Sequence, residues 1–257
     1  MSGLLAKPYL VLYCYVMALL FALYTPYEAY FSYETEDHGL NSEVTSIVFA
    51  SKSLSNLLIS FFVPAILESL GRKKATYCGL YALALVIGSH GLLVYSQNKA
   101  SFYISSIVAG LLSGAAMGIT YTGTVSSVSY LYRENLDKAI GVLKAHVGVG
   151  LTLGMLISAA MHLLGGFPLC CFAFAGLTLI AGVLVQITIP KGIDDDENDA
   201  ECAPSKLSHT NKRRATVCEL LCLSRYLACL IGAFFVAMIP SALLTVLSSR
   251  YTDLSAD

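Results

Sequence analysis

Residues 139–189 read AIGVLKAHVGVGLTLGMLISAAMHLLGGFPLCCFAFAGLTLIAGVLVQITI, and this stretch decides the fold of the chain. Lys144 is its single Lys, Arg, Asp or Glu residue. About 20 apolar residues in a helix cross the roughly 30 Å hydrocarbon core of a bilayer, so the stretch is long enough for two crossings. We therefore predict two transmembrane spans, Ala139–Leu163 and Gly166–Ile189, on either side of a glycine pair.

Further apolar spans lie on both sides of this stretch, and one long charged segment separates the last of them from the rest. The predicted spans are Pro8–Tyr30, Val44–Leu67, Ala75–Gln97, Ala100–Tyr121, Ala139–Leu163, Gly166–Ile189 and Cys218–Leu247. Short loops join the first six, so neighbouring helices are antiparallel. The sequence predicts an all-α membrane protein with a six-helix bundle over residues 1–189. A charged linker over 190–217 and a seventh helix with a short tail over 218–257 follow, so that a second bundle would be truncated.

Composition supports a membrane protein by a separate route. Hydrophobic residues make up 56% of the chain and charged residues 13%, whereas soluble domains average about a quarter charged residues. The net charge of −1 excludes the basic surface that nucleic-acid binding needs. The first apolar segment is too long for the core of a signal peptide, and we predict that it is a retained helix. Most of the eight cysteines fall inside spans, where free thiols pack as small apolar residues.

The distribution of lysine and arginine predicts the orientation in the membrane. Cytosolic loops of membrane proteins carry an excess of these residues. One side of the predicted topology receives eleven, and they are Lys7, Arg72, Lys73, Lys74, Arg133, Lys138, Lys191, Lys206, Lys212, Arg213 and Arg214. The other side receives two, Lys99 and Arg250. We therefore predict a cytosolic amino terminus and a cytosolic linker, in either a vesicle membrane or the plasma membrane.

The linker contains opposite charges in separate clusters. Residues 194–197 read DDDE, and residues 212–214 read KRR. Such a polar segment buries too little apolar surface to fold alone, which predicts a tether or a regulatory loop. A calcium site is the alternative, but the segment lacks the glycine and ligand spacing of an EF-hand loop. No nucleotide loop, metal-ligand cluster or nucleophile constellation occurs in the sequence, so we expect neither an enzyme nor a bound cofactor or metal.

Polar residues inside the spans are the candidates for function, because an ionisable group in hydrocarbon is costly. Lys52 lies in the second span, and Asn56 follows it on the same helical face. We predict that this face lines the bundle interior or a watery cavity. The alternative is a lysine whose ammonium group extends along the span to the membrane interface. Glu28, near the outer end of the first span, is a candidate to pair with Lys52 or to exchange protons. The alternative is a carboxylate at the membrane interface without such a role.

Glycine spacing predicts where helices pack closely. Gly110, Gly114 and Gly118 recur every four residues in the fourth span, and Gly150 and Gly154 have the same spacing in the fifth. Small residues at this interval let helix backbones approach each other in a bilayer, where apolar side chains gain nothing over lipid. We expect these two rows to form the tight helix contacts of the bundle.

The connection after the second span carries a family motif. Residues 63–74 read VPAILESLGRKK and resemble the major facilitator superfamily loop G-x-L-x-D-R-x-G-R-K between the second and third helices. Gly71, Arg72 and Lys73 match that motif, and Glu68 stands at its acidic position. This resemblance implies an amino-terminal major-facilitator bundle, with Glu68 near a basic residue or a helix terminus.

A second resemblance concerns the substrate. Residues 48–52, VFASK, are similar to the F-A-S-K segment of vesicular amine transporters, whose lysine is functionally important. Residues 24–27, YTPY, resemble the vesicular polyamine branch, and the glycines of the fifth span resemble an antiporter motif. Two features depart from these patterns. Met155 follows Gly154 where the antiporter motif has proline, and the usual arginine of the fourth helix is absent.

Two functional hypotheses follow. The first is a secondary transporter of small organic cations, of amine or polyamine type, that works by alternating access and is coupled to protons. The retained Gly71-Arg72-Lys73 motif and Lys52 favour it. The alternative is a truncated, non-transporting membrane protein that binds or regulates a partner, which the departures from the motifs favour.

Overall fold

A computed structural model describes residues 8–40, 42–96 and 98–190, without the side chains of residues 27, 28 and 42–44. All regular structure in these ranges is helical. Five helical segments within these ranges are long and apolar enough to cross a membrane. The last of them, Arg133–Thr188, contains both of the spans predicted around the glycine pair. The predicted linker beyond Pro190 and the predicted seventh helix lie outside the described residues.

Six helices follow the order of the predicted spans. Their bounds are α1 Pro8–Asp37, α2 Ser42–Leu70, α3 Arg72–Leu93, α4 Lys99–Leu131, α5 residues 136–164 and α6 residues 167–188. In α1, Leu23 separates the segments Pro8–Ala22 and Tyr24–Asp37, and a short 3₁₀ turn, Arg133–Asn135, joins α4 to α5. These helices confirm the all-α membrane fold.

The glycine pair separates α5 from α6 as predicted. Gly165 has φ −163° and ψ 23°, and Gly166 has φ 71° and ψ −167°, so neither residue is helical. A positive φ of this kind is open to glycine and strained for other residues. Pro168 follows near the start of α6, where its missing N–H costs no helical hydrogen bond.

Three helix ends differ from the predicted ones. Helix α1 continues to Asp37, so the acidic segment predicted as an outer loop is mostly helical. Helix α4 continues to Leu131, ten residues beyond the predicted end at Tyr121, and hydroxyl side chains in this part bond back to the helix backbone. Ser127 Oγ donates to the Gly123 carbonyl oxygen at 2.8 Å. This back-bonding satisfies polar groups that lower the hydropathy of the segment.

The connection between α2 and α3 is also shorter than predicted. Helix α2 ends at Leu70, α3 begins at Arg72, and only Gly71, with φ 84°, lies between them. The predicted loop over residues 63–74 is therefore two helix ends joined by one glycine. As a result, Arg72 and Lys73 are held by the first turn of α3 and not by a flexible loop.

Helix α1 lies in the interior of the bundle. Leu10, Tyr13, Val16, Met17 and Leu20 are fully buried. Helix α5 packs against α1, whereas α4 packs against both α2 and α3, and α6 packs against α3. Helices α1, α2 and α4 provide the residues of the site described next.

Candidate functional site

An open cavity of about 450 Å³ lies between α1, α2 and α4. We call it the α1–α2–α4 cavity. Its lining residues are Phe21, Tyr24, Ser53, Asn56, Leu57, Ser60, Met117, Gly118, Tyr121 and Thr122. The volume lies within the 300–1,000 Å³ range of small-molecule sites, and the mixture of aromatic rings, hydroxyl groups and one amide is typical of such sites.

Three aromatic rings form one side of this cavity. The Phe21 ring centroid lies 5.9 Å from that of Tyr24 and 6.3 Å from that of Tyr121, the second pair meeting edge to face. Phe21 and Tyr24 come from adjacent turns of α1, so the helix places both rings on one face. Tyr121 joins them from α4, in which it is the last residue of the predicted span.

Lys52 reaches from α2 to the wall of the α1–α2–α4 cavity. Its side chain is buried, at 9% exposed, and Nζ lies 4.0 Å from the centroid of the Tyr24 ring. An ammonium group in this position is attracted by the negative face of the ring. The amine therefore contacts a residue that lines the cavity, while the role of Lys52 in transport stays a prediction.

Other polar residues of α2 lie in two environments. Asn56 lines the cavity, as expected of a residue on the Lys52 face, and so does Ser60, four residues further on. Thr45, seven residues before Lys52, lies elsewhere and shares a 2.7 Å hydrogen bond with Thr35 of α1. Glu28 follows Tyr24 by four residues in α1, but its side chain lies outside the described part of the chain.

Lys144 and Tyr121 form a pair that sequence reasoning missed. Lys144 Nζ donates to the Tyr121 hydroxyl oxygen and lies 4.9 Å from the centroid of the Tyr121 ring. Its position near the end of the fifth span favoured a simple membrane anchor. One sequence signal was available for Tyr121. It follows Gly114 and Gly118 on the small-residue face of α4, where Tyr121 and Thr122 bring in polar groups.

The residues of the family motif around Gly71, which we call the gate motif, lie at the end of α2 and the start of α3 and make separate contacts. Lys73 Nζ donates to the carbonyl oxygen of Ile189, at the end of α6. The Arg72 guanidinium lies 4.7 Å from the centroid of Tyr130 in α4. Glu68 is exposed, and no ion pair to it is found within the described ranges, so its proposed pairing stays a prediction. The motif therefore joins α3 to α6 and α4.

Both glycine rows face other helices. A Cβ atom at Gly114 would lie 3.0 Å from the Lys52 carbonyl carbon, and one at Gly118 would lie 2.7 Å from Asn56 Oδ1. Gly110 lies against Ser51 of the same helix α2. Glycine on α4 thus lets α2 approach closely enough to place Lys52 and Asn56 beside the cavity.

The second row brings α5 onto α1. A Cβ atom at Gly150 would lie 2.7 Å from the Ala18 carbonyl carbon, and one at Gly154 would lie 2.7 Å from the Ala22 Cα. Backbone atoms of α1 occupy the space that these side chains would need. The same close approach carries Lys144 of α5 toward Tyr121.

In the described part of the chain, no group of three or more histidine, cysteine, aspartate or glutamate side chains is arranged to hold a metal ion. The lining of the α1–α2–α4 cavity offers aromatic faces together with hydroxyl and amide groups.

Comparison with known proteins identifies the family. The model of the Major Facilitator Superfamily matches residues 9–256, which is almost the whole chain. No curated protein and no solved structure matches the chain. The match and the apolar helices together describe an integral, multi-pass membrane protein. The chain belongs to the Major Facilitator Superfamily, whose members are transporters that carry small solutes across membranes.

Proposed function

We propose that the chain is a secondary transporter of a small organic cation, of amine or polyamine type, which binds in the α1–α2–α4 cavity. One observation carries the proposal: the Lys52 ammonium group lies over the ring of Tyr24, which lines the cavity, with Nζ 4.0 Å from the ring centroid. Lys144 Nζ donates a hydrogen bond to the hydroxyl oxygen of Tyr121, a second lining residue.

The position of the Lys52 amine over the Tyr24 ring is one that a substrate amine can take. Cation–π attraction is stronger for a desolvated ammonium group than for one in water, and a partly enclosed cavity provides that condition. Asn56 and Ser53 supply oxygen atoms that accept hydrogen bonds from an ammonium group. Glu28, one helical turn from Tyr24 on α1, is the proposed source of a neutralising carboxylate.

Replacement of the Lys52 amine by a substrate amine at Tyr24 is the proposed first step of a transport cycle. A substrate ammonium that occupies the Tyr24 face displaces Lys52, because the two ammonium groups repel each other at contact distance. Loss of the Lys52 contact changes how α1 and α2 are held, and helix movements of this kind produce alternating access. Protons are the proposed coupling ions, with Glu28 and Lys52 as the groups that exchange them. The proposed orientation places the amino terminus in the cytosol.

Uptake into proteoliposomes that contain the full chain tests the proposal. The solutes are a monoamine, spermidine and tetraethylammonium, with a sugar and an organic anion for comparison. We expect uptake of at least one cation and a loss of about tenfold or more in Tyr24→Ala, with Tyr24→Phe largely retained because it keeps the ring.

Tyr95→Ala is the matched control, because Tyr95 is 70% exposed and lies outside the cavity. Uptake of only the anion or the sugar contradicts the cation proposal. Cation binding without uptake favours the alternative of a non-transporting protein with a binding or regulatory role.

A further inference from the structure

A histidine at the end of α1 has both of its ring nitrogens against backbone carbonyl groups. His38 Nδ1 lies 2.8 Å from the carbonyl oxygen of Glu34, one turn earlier in α1. Its Nε2 lies 3.2 Å from the carbonyl oxygen of Ser96, in the connection between α3 and α4. The ring also stacks on Phe102 of α4, with centroids 4.2 Å apart and an interplanar angle of 11°. We call these three contacts the His38 clasp.

The number of protons on the ring decides which of these contacts are hydrogen bonds. A carbonyl oxygen only accepts hydrogen bonds, so each of the two contacts needs an N–H group on the imidazole. A neutral imidazole carries one N–H group and one lone pair, whereas an imidazolium carries two N–H groups. The neutral ring therefore donates to one carbonyl and turns a lone pair toward the other, and only the protonated ring donates to both.

The contact within α1 competes with the contact between helices for the single proton of the neutral ring. The Nδ1 contact to Glu34 is the shorter of the two and links residues of one helical turn. That turn holds Nδ1 in place, whereas the Nε2 contact depends on the position of a separate segment. We therefore expect the neutral ring to keep its proton on Nδ1 and to lose the hydrogen bond to Ser96.

Charged groups around the His38 clasp act in opposite directions. The Glu34 carboxylate, which interacts electrostatically with His38 and Asp37, favours an imidazolium. The Lys99 ammonium group of α4 opposes an imidazolium from a position beside Gly39, where a Cβ atom would lie 2.5 Å from Nζ. Two carboxylates and one ammonium group thus surround the ring.

The other titratable groups at this end of the bundle are further from the ring. His90 of α3 meets Phe31 edge to face, and Glu36 of α1 and Tyr95 of the connection are exposed. On α2, Glu43 has its side chain outside the described part of the chain. Within the described ranges none of these groups bonds to the His38 ring, so the three charges named above set its electrostatic surroundings.

We propose that the His38 clasp is a proton-binding latch, which holds the end of α1 on α4 and the preceding connection when the ring is protonated and frees it when the ring is neutral. Histidine changes its charge between about pH 5 and pH 8, so pH differences between cellular compartments are large enough to operate the latch. The lysine and arginine count predicts that this end lies on the non-cytosolic side, where an acidic lumen or medium would close the latch. The same helix carries Phe21 and Tyr24 of the α1–α2–α4 cavity, so the latch fixes one wall of the cavity from a distance. It does not depend on which substrate the cavity binds.

Hydrogen exchange of the full chain in nanodiscs, followed by mass spectrometry, tests the latch. The reporting backbone N–H groups are those of Gly39, Leu40 and Ser96, which bond to carbonyl groups of α1 and α3. Rates at pH 5.5 and pH 8 are each divided by the intrinsic exchange rate at that pH. We expect about tenfold weaker protection at pH 8, because a hydrogen bond from a charged donor is lost, and no such change in peptides from the middle of α5.

A histidine of α5 provides the matched control for a variant of the latch. His38→Gln removes the titratable ring and should abolish the pH dependence of protection in the reporting peptides. His146 also has Nδ1 against the carbonyl oxygen four residues earlier, at 2.8 Å, but its ring bonds to no second carbonyl within the described ranges. We therefore expect His146→Gln to keep the pH dependence of the unmodified chain.

Two results would overturn the latch. Equal or stronger protection of Gly39 and Leu40 at pH 8 in the unmodified chain, a measurement that needs no variant, shows that protonation does not hold the end of α1. A pH dependence that survives in His38→Gln assigns the response to another group, such as the Glu34 carboxylate.

Discussion

Replacement of a single glycine should separate α5 from α1, and a neighbouring glycine provides the control. A Cβ atom at Gly150 would lie 2.7 Å from the Ala18 carbonyl carbon and 2.8 Å from its Cα. Carbon atoms in ordinary contact lie about 3.5 Å apart, and the Ala18 carbonyl oxygen lies nearer still, so Gly150→Ala forces the two backbones apart by at least about 0.8 Å. Gly148, on the same helix, has no atom within 4 Å of its ideal Cβ position.

The expected magnitude comes from two opposing effects. Alanine in place of glycine stabilises a helix interior by about 1 kcal/mol at either position. Overpacking of a close contact costs about 1–3 kcal/mol, and only Gly150→Ala carries this cost. Gly148→Ala should therefore be at least as stable as the unmodified chain, while Gly150→Ala should be less stable than Gly148→Ala by about 1–3 kcal/mol.

Thermal unfolding of the full chain in detergent measures this difference. A maleimide dye that fluoresces on reaction with thiols reports unfolding, because Cys14 and Cys171 are 2% and 1% exposed in the folded bundle. We expect a lower Tm for Gly150→Ala than for Gly148→Ala. Equal Tm values for the two variants would refute the close approach of α5 to α1.

The remaining predictions concern the cavity, the gate motif and the topology. Lys52→Ala should abolish cation uptake at unchanged protein abundance, and Lys52→Arg should restore only part of it, because a guanidinium is larger than the compact ammonium group and always stays protonated; normal uptake by Lys52→Ala would remove the functional role. Lys73→Gln should lower the stability of the chain by about 1–3 kcal/mol in detergent unfolding, because it weakens a charge-assisted hydrogen bond to Ile189, and an unchanged Tm would contradict that contact. Cys202 should resist an impermeant thiol reagent applied outside intact cells, and ready labelling would contradict the predicted orientation.

Sequence periodicity and length determined most of the fold. Long apolar segments must form helices in a bilayer, because every backbone N–H and C=O group needs a partner within the segment. The turn at Gly165 and Gly166 was predictable for the same reason, since a stretch of this length exceeds one crossing. The end of α4 was not predictable from hydropathy, because its last ten residues are rich in serine and threonine, and the hydroxyl group of Ser127 finds its partner in the helix backbone.

Tertiary structure alone decided which residues share a site. The sequence placed Lys52 and Asn56 on one helical face, but the Tyr24 contact depends on how α1 and α2 are arranged. Likewise, Tyr121 and Lys144 come from α4 and α5 and meet only in the folded bundle. Spacing along one helix specifies its faces, whereas the partner of each face depends on the packing of several helices at once. The sequence therefore predicted which residues belong to which helix, whereas the tertiary structure was needed to show which residues line the α1–α2–α4 cavity.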